Sequence, residues 1–304
     1  MLSRFAVAED IFTKEFAEIN NRLLQITDEH QLIDHREINN QRFPDWFGKI
    51  KCNRSFYGSR FWEYPFAILA AELKPGLKCA DVGCGSTPFT LYLCEAAGAE
   101  NVTGIDHDYV PEAFDDRHLS FGARKSHIDK SGFNFLNNDF TRIDAPDNSF
   151  DRVFCISVLE HIMDEQIKEK GLLEMVRILK PGGKLILTFD TGVNLFFNPP
   201  LRILGLTGLI PDNGLELKWP KNRFVEYGDN SMDVFGLVLQ KQKEDIYSDY
   251  KKTRLISAHE LSKKYIDISG SYSHSPMLML SDLKRPWGLI RLMAKYTMGK
   301  YKQE

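Results

Sequence analysis

The chain has 304 residues, 43% hydrophobic and 27% charged, the make-up of an ordinary globular protein with room for one domain plus appendages or for two small domains. No stretch offers the ~20 uninterrupted apolar residues of a spanning helix. The start, MLSRFAVAEDIFTKEF, has acids by position 9 and neither a basic apolar leader nor a small-residue cleavage site, so a cytoplasmic location is expected. A net charge of −3 gives no global bias toward nucleic acid, although residues 241–304 carry 13 Lys and Arg against 7 Asp and Glu and form a locally basic tail. Five cysteines, odd in number and never in a CxxC, argue against a disulfide framework and against a thiolate zinc site.

In chain order, residues 1–74 read as a helical extension. Ile11, Phe12, Phe16, Ile19, Leu23 and Leu24 recur at three and four, and RFWEYPFAILAAEL reads as a second helix ended by Lys74-Pro75-Gly76. From 75 to 241 the pattern changes to short apolar runs, KCADVG, NVTGID, FNFLNND, FDRVFCIS and GKLILTFD, with helical stretches at about 87–98 and 164–180 between them. Apolar strands alternating with helices signal a mostly parallel sheet covered on both faces, doubly wound, with ligands at the carboxyl ends of its strands. Lys180-Pro181-Gly182-Gly183 breaks a helix and feeds a strand, and MDVFGLVLQK adds a late one. Residues 242–304 read as a helical basic extension, with no repeats or low-complexity tract.

In DVGCGSTP, Gly83 and Gly85 let the backbone turn off a strand and approach a ligand closely. Pro88 stands where a dinucleotide fingerprint needs its third glycine, and no Gly-Lys-Ser/Thr follows to make a P-loop. GIDHD puts Asp106 at the tip of the second strand, where a carboxylate can accept both hydroxyls of an unphosphorylated ribose. NNDF puts Asp139 at the third, able to accept from an exocyclic amine, with Phe140 able to pack on an adenine face. Three successive strand ends thus describe a nucleoside without a pyrophosphate. Singly, each piece also suits a tight turn or a helix cap.

ADVGCGS, GIDHD, NNDF, FDRVFCISVLEHI and EMVRILKPGGKLILTFD, in this order and spacing, resemble the class I S-adenosylmethionine-dependent methyltransferases over about residues 75–190, extending with the late strand to 241. The resemblance implies a seven-stranded sheet and S-adenosyl-L-methionine as cofactor. It implies Gly83 and Gly85 at the methionine end, Asp106 on the ribose, Asp139 with Phe140 on the adenine, and Asp81 and Ser157 also among the cofactor-binding residues. The family's usual glycine is replaced by Thr87. The segment NRSFYGSRFWEYPFA falls where the family often has a lid, and the insertion at about 192–231 falls where it places acceptor recognition; Phe196, Phe197, Trp219 and Tyr227 either wall an acceptor pocket or pack a helix on the sheet.

Methyl transfer from a sulfonium is an in-line displacement needing alignment and dryness more than a covalent nucleophile. A hydroxyl acceptor also needs a base, and His161, just past the fourth strand, has the right titration range. In the resembling family the same histidine often serves local structure, so both roles stay open, as they do for Glu160; His107 and Asp108 are further polar candidates. No metal is expected, because Ser157 stands where some RNA methyltransferases place the first glutamate of a Glu-x-x-Glu-His metal motif. The expected activity is O-methylation of a small molecule, sugar or glycan precursor. RNA or protein methylation is the alternative, with no recognisable nucleic-acid module, and a non-catalytic cofactor-binding scaffold is another. From Pro286 onward Trp287, Leu289, Ile290, Leu292, Met293 and Tyr296 gather on one side of a basic helix, expected to dock on the domain or on a second subunit, with peripheral membrane contact as the second reading.

Overall fold

Cys79–Val82 (β2) is buried on all four residues because it lies mid-sheet between two parallel neighbours. These are β3 (Val102–Asp106) on one side and β5 (Phe150–Ile156) on the other. Beyond β3 lies β4 (Asn134–Asn137), and beyond β5 lie β6 (Leu179–Asp190) and β8 (Val234–Lys241), the last antiparallel to β6. The order is β4-β3-β2-β5-β6-β8-β1, where β1 is Arg4–Phe5, with short β7 (Leu209–Pro211) also on β8. The computed structural model describes residues 3–30, 59–85, 87–107, 132–162, 164–190, 209–213 and 234–242, all within the compact unit Met1–Leu261. Most of the 192–231 insertion, His-to-Ser loop residues such as Asp108, and the C-terminal helix expected from Pro286 lie outside the described residues.

The sheet has eight strands where seven are expected. One that no sequence run announced, β1, is the dipeptide Arg4–Phe5 on the outer edge of β8. Two residues carry no alternation for a sequence pattern to show; tertiary contact makes this strand, through an edge-to-face packing of Phe5 on Phe235 at 4.9 Å. Lys180–Gly183, expected to break a helix and feed a strand, follows the helix end at Ile178 and forms a bulge within β6: pairing jumps from Phe150↔Leu179 to Arg152↔Lys184, and Gly182 takes φ +77°.

Helices cover both faces. α1 (Lys14–Glu29), α2 (Arg60–Ala71) and α3 (Pro88–Ala97) share one core with Phe154, Ile156, Ile186 and Val238 of the sheet. The intervening Val153, Cys155, Leu185 and Leu187 are turned by the strand period to the opposite face, and α4 (Glu165–Ile178) packs on the sheet through β6. Of the segment expected as a lid, residues 53–58 lie outside the described residues; from Ser59 on the chain enters a core helix, with Phe61, Trp62 and Phe66 fully buried. Phe66 fills the space over Gly236, where a Cβ would stand 2.3 Å from its ring. Pro65 lacks the N–H that would bond the Phe61 carbonyl inside this helix. Asn20 of α1 supplies the missing donor, Nδ2 to the Phe61 carbonyl at 2.9 Å. The rest of the pairing between these elements includes Arg22 of α1 bridging Glu29 and Glu95.

Candidate functional site

The glycine turn closes directly on β2. Gly83 and Gly85 take φ +75° and +55°, left-handed conformations in which glycine lacks the clash of other residues. The Gly83 N–H donates to the Ile105 carbonyl at 2.7 Å, and a Cβ on Gly83 would stand 2.4 Å from Val158 Cγ2. The turn is therefore wedged between the ends of β3 and β5. Thr87 sits at φ −121°, extended backbone open to any residue, so the turn has no need of the glycine that the family usually has there. Pro88 then opens α3, its missing N–H belonging to the first helical turn.

Asp106 ends β3 beside this turn. Its Oδ2 accepts from the Gly85 N–H and its Oδ1 from the His107 N–H, both at 2.8 Å, which fixes the carboxylate at the sheet's carboxyl edge. Asp81 lies one residue inside β2's end, 3% exposed, and accepts from the Thr90 hydroxyl at 2.6 Å. Burial, with a smaller push from Asp106, raises its carboxyl to about 7 against the lowering effect of Thr90. At the next strand, Asp139 is exposed and caps its own loop by accepting from the Thr141 N–H at 2.8 Å, a bond that holds its pKa below the ordinary value. Phe140 lies flat against α4 at Gly171, where a Cβ would come 1.8 Å from its ring. The glycine at 171 is thus a seat for Phe140, leaving the ring half-exposed at the strand edge.

The end of β5 is held differently from expectation. Ser157 has φ +50°, uncommon for a residue with a side chain, and its hydroxyl donates to Glu63 Oε1 at 2.7 Å. Thr188 of β6 donates to the same oxygen at 2.6 Å, while Ser59 donates to Oε2 at 2.8 Å and Arg60 pairs with Oε2 as well. Glu63 is 0% exposed. Burial alone would raise its pKa, but Arg60, Thr188, Ser157 and Ser59 overcome this and keep it lowered, so the carboxylate is charged. The Arg60 guanidinium lies 5.9 Å from the Tyr64 ring centroid, and Tyr64 is hydrogen-bonded to Thr87 in the glycine turn. The first turn of α2 therefore links the glycine turn to the end of β5. No sequence motif pointed to it; the visible signal was an Arg and a Glu at i,i+3 inside an otherwise apolar helix.

His161 closes the short 3-10 turn Leu159–His161 after β5, its N–H bonded to the Val158 carbonyl at 3.1 Å. The side chain meets solvent, yet partial desolvation and then the Arg60 charge lower its pKa, opposed by Glu63. It is neutral near pH 7. His107 follows Asp106, and the charge of Glu160 bears on Arg60. Among the described residues no cluster of three or more His, Cys, Asp or Glu could hold a metal ion, and no helix is long and apolar enough to cross a membrane.

These residues fit S-adenosylmethionine. A turn with glycine at 83 and 85, a fixed carboxylate at the second strand's tip, and a capped Asp beside a half-exposed aromatic at the third stand on adjacent strands, with Val82 level with Ile105 and Asp106 with Asn137. The family described as "Methyltransferase domain" matches residues 80–187. A demethylmenaquinone methyltransferase of Bacillus cereus is 33% identical over 176 residues, 54% of this chain and 70% of the relative. Phosphoethanolamine N-methyltransferase 3 of Arabidopsis thaliana is 26% identical over 239 residues, 72% of this chain and 42% of the relative. A sterol 24-C-methyltransferase of Yarrowia lipolytica is 32% identical over 145 residues, 45% of this chain and 35% of the relative. The chain thus spans less than half the length of the last two.

Proposed function

The chain belongs to the class I S-adenosylmethionine-dependent methyltransferases, and we propose that it methylates an oxygen of a small molecule, a sugar or glycan precursor, in the cytoplasm, with His161 as the base. The observation that carries this reading is an imidazole facing solvent in the turn just past β5, whose Val158 packs against Gly83 of the glycine turn. The relatives, by their names, act on an amine, a sterol and a quinone precursor. They differ in the atom methylated but agree on small molecules, which supports that class over RNA or protein.

When bound, S-adenosylmethionine supplies a methyl group on a sulfonium. Asp106 would hold the ribose hydroxyls, its position fixed by the Gly85 and His107 N–H groups. Gly83 and Gly85 would let the backbone meet the methionine end, Asp81 and Ser157 would complete the cofactor-binding set, and Asp139 and Phe140 would hold the adenine. His161, neutral at physiological pH, would take the proton from the acceptor hydroxyl as its oxygen becomes nucleophilic. Glycine turn, ribose carboxylate and base thereby sit on a rigid sheet edge, which supports the alignment an in-line transfer needs.

The test is mass spectrometry of metabolites from a cell extract incubated with enzyme and S-adenosylmethionine, followed by His161→Ala. A methyl gain on a small metabolite, with turnover falling ~10²-fold or more in the variant while cofactor affinity stays within about threefold, is the expected result. A methyl gain on RNA or protein alone sinks the proposal.

A further inference from the structure

We propose that Arg60 and Glu63, in the first turn of α2, are positioning residues that act on His161 through a buried ion pair, so that a core helix belongs to the proton-transfer apparatus. The inference rests on the reading of His161 as the base.

The geometry is a closed network. Glu63, fully buried, takes Ser157 at 2.7 Å and Thr188 at 2.6 Å on one oxygen, and Ser59 at 2.8 Å with Arg60 on the other. A buried carboxylate without such partners costs several kcal/mol, and hydrophobic packing alone would favour an apolar residue at this position of an apolar helix. Ser157, held by this bond in its left-handed conformation, directs the chain into the turn that ends at His161. The Arg60 side chain, 24% exposed, is kept from swinging away by Glu63 and by the Tyr64 ring under it. The pair therefore fixes both the backbone that carries His161 and a cation beside it.

The charged groups that bear on the imidazole among the described residues are Arg60, which disfavours its protonated form, and Glu63, which favours it. Its own turn also carries Glu160, whose charge bears on Arg60, and Asp164 precedes α4 with its carboxylate accepting from the Gln166 and Ile167 N–H groups. The two members of the pair thus push the imidazole in opposite directions, so removing one charge at a time separates their electrostatic effect from the backbone support they give together through Ser157.

The experiment is an NMR titration of the His161 ring in the full chain with S-adenosylhomocysteine bound, the signal assigned by its loss in His161→Ala. Arg60→Gln is expected to move the midpoint up and Glu63→Gln to move it down, each by about one pH unit, with Arg60→Lys close to wild type. The acid limb of the kcat profile should follow. Midpoints that stay put in Arg60→Gln, or that move the same way in both charge-removing variants, overturn the proposal; should Glu63→Gln not fold, Arg60→Gln against Arg60→Lys decides it. Full turnover in His161→Ala with the midpoints still moving apart would refute the base while leaving the coupling standing.

Discussion

Replacing Gly83 by alanine tests the turn at its tightest point. At φ +75° an L side chain costs about 1–2 kcal/mol. The new methyl would also stand 2.4 Å from Val158 Cγ2 and 3.1 Å from Cγ1, an overlap that forces side chain or backbone to move at about 1–3 kcal/mol. The expected loss is their total, about 2–5 kcal/mol, a large share of a typical domain's stability. Val158→Ala removes both clashing methyls, leaving the alanine Cβ at 3.3 Å, a contact relieved by a shift of a few tenths of an ångström, so in the double variant mainly the backbone cost should remain. The assay is urea unfolding of the four chains of a double-mutant cycle, with m-values compared, and calorimetry of S-adenosylhomocysteine on each. A coupling of about 1–3 kcal/mol favouring the double variant is expected, with ligand affinity partly restored alongside. A Gly83→Ala chain as stable as wild type, or a cycle without coupling, would refute the wedging of the turn against β5.

Asp106→Ala should weaken S-adenosylhomocysteine binding by about 2–3 kcal/mol, since hydrogen bonds to a charged acceptor are lost; unchanged affinity by calorimetry would remove it from the ribose site. Asp81 binds its proton more tightly folded than unfolded, its carboxyl standing at about 7 rather than 3.8. Its contribution to the ligand-free protein therefore falls as pH rises from about 4 to 7 and is fully unfavourable above that. Asp81→Asn should gain stability over wild type across that window, and urea melts at pH 5 and pH 8 with equal differences would contradict the burial argument. The Arg60, Glu63 and His161 variants above complete the set.

The local pieces of this site were legible because each is a short-range requirement. A left-handed turn off a strand selects glycine at 83 and 85, a strand tip presents Asp106, and Pro88 marks where α3 begins; neighbours in sequence impose all of these. Thr87 shows the limit of the same reading. It departs from the family's glycine, and only the backbone, extended at φ −121°, reveals that position 87 does not require one. Ser157 shows another: its place after β5 was apparent, but not that its hydroxyl is spent on Glu63.

What the sequence determined by itself was the alternation that makes a parallel sheet, the order of its strands along the chain, and the glycine turn at the sheet's carboxyl edge, since periodicity and turn chemistry act over a few residues. Tertiary structure alone decided the partnerships that close over long separations. Glu63 meets Ser157 and Thr188 across 94 and 125 residues, Asn20 repairs the carbonyl that Pro65 leaves without its donor across 41, and the dipeptide β1 is a strand only because β8 offers it an edge. A buried polar group must find a partner wherever the fold brings one, and no local pattern encodes where along the chain that partner lies.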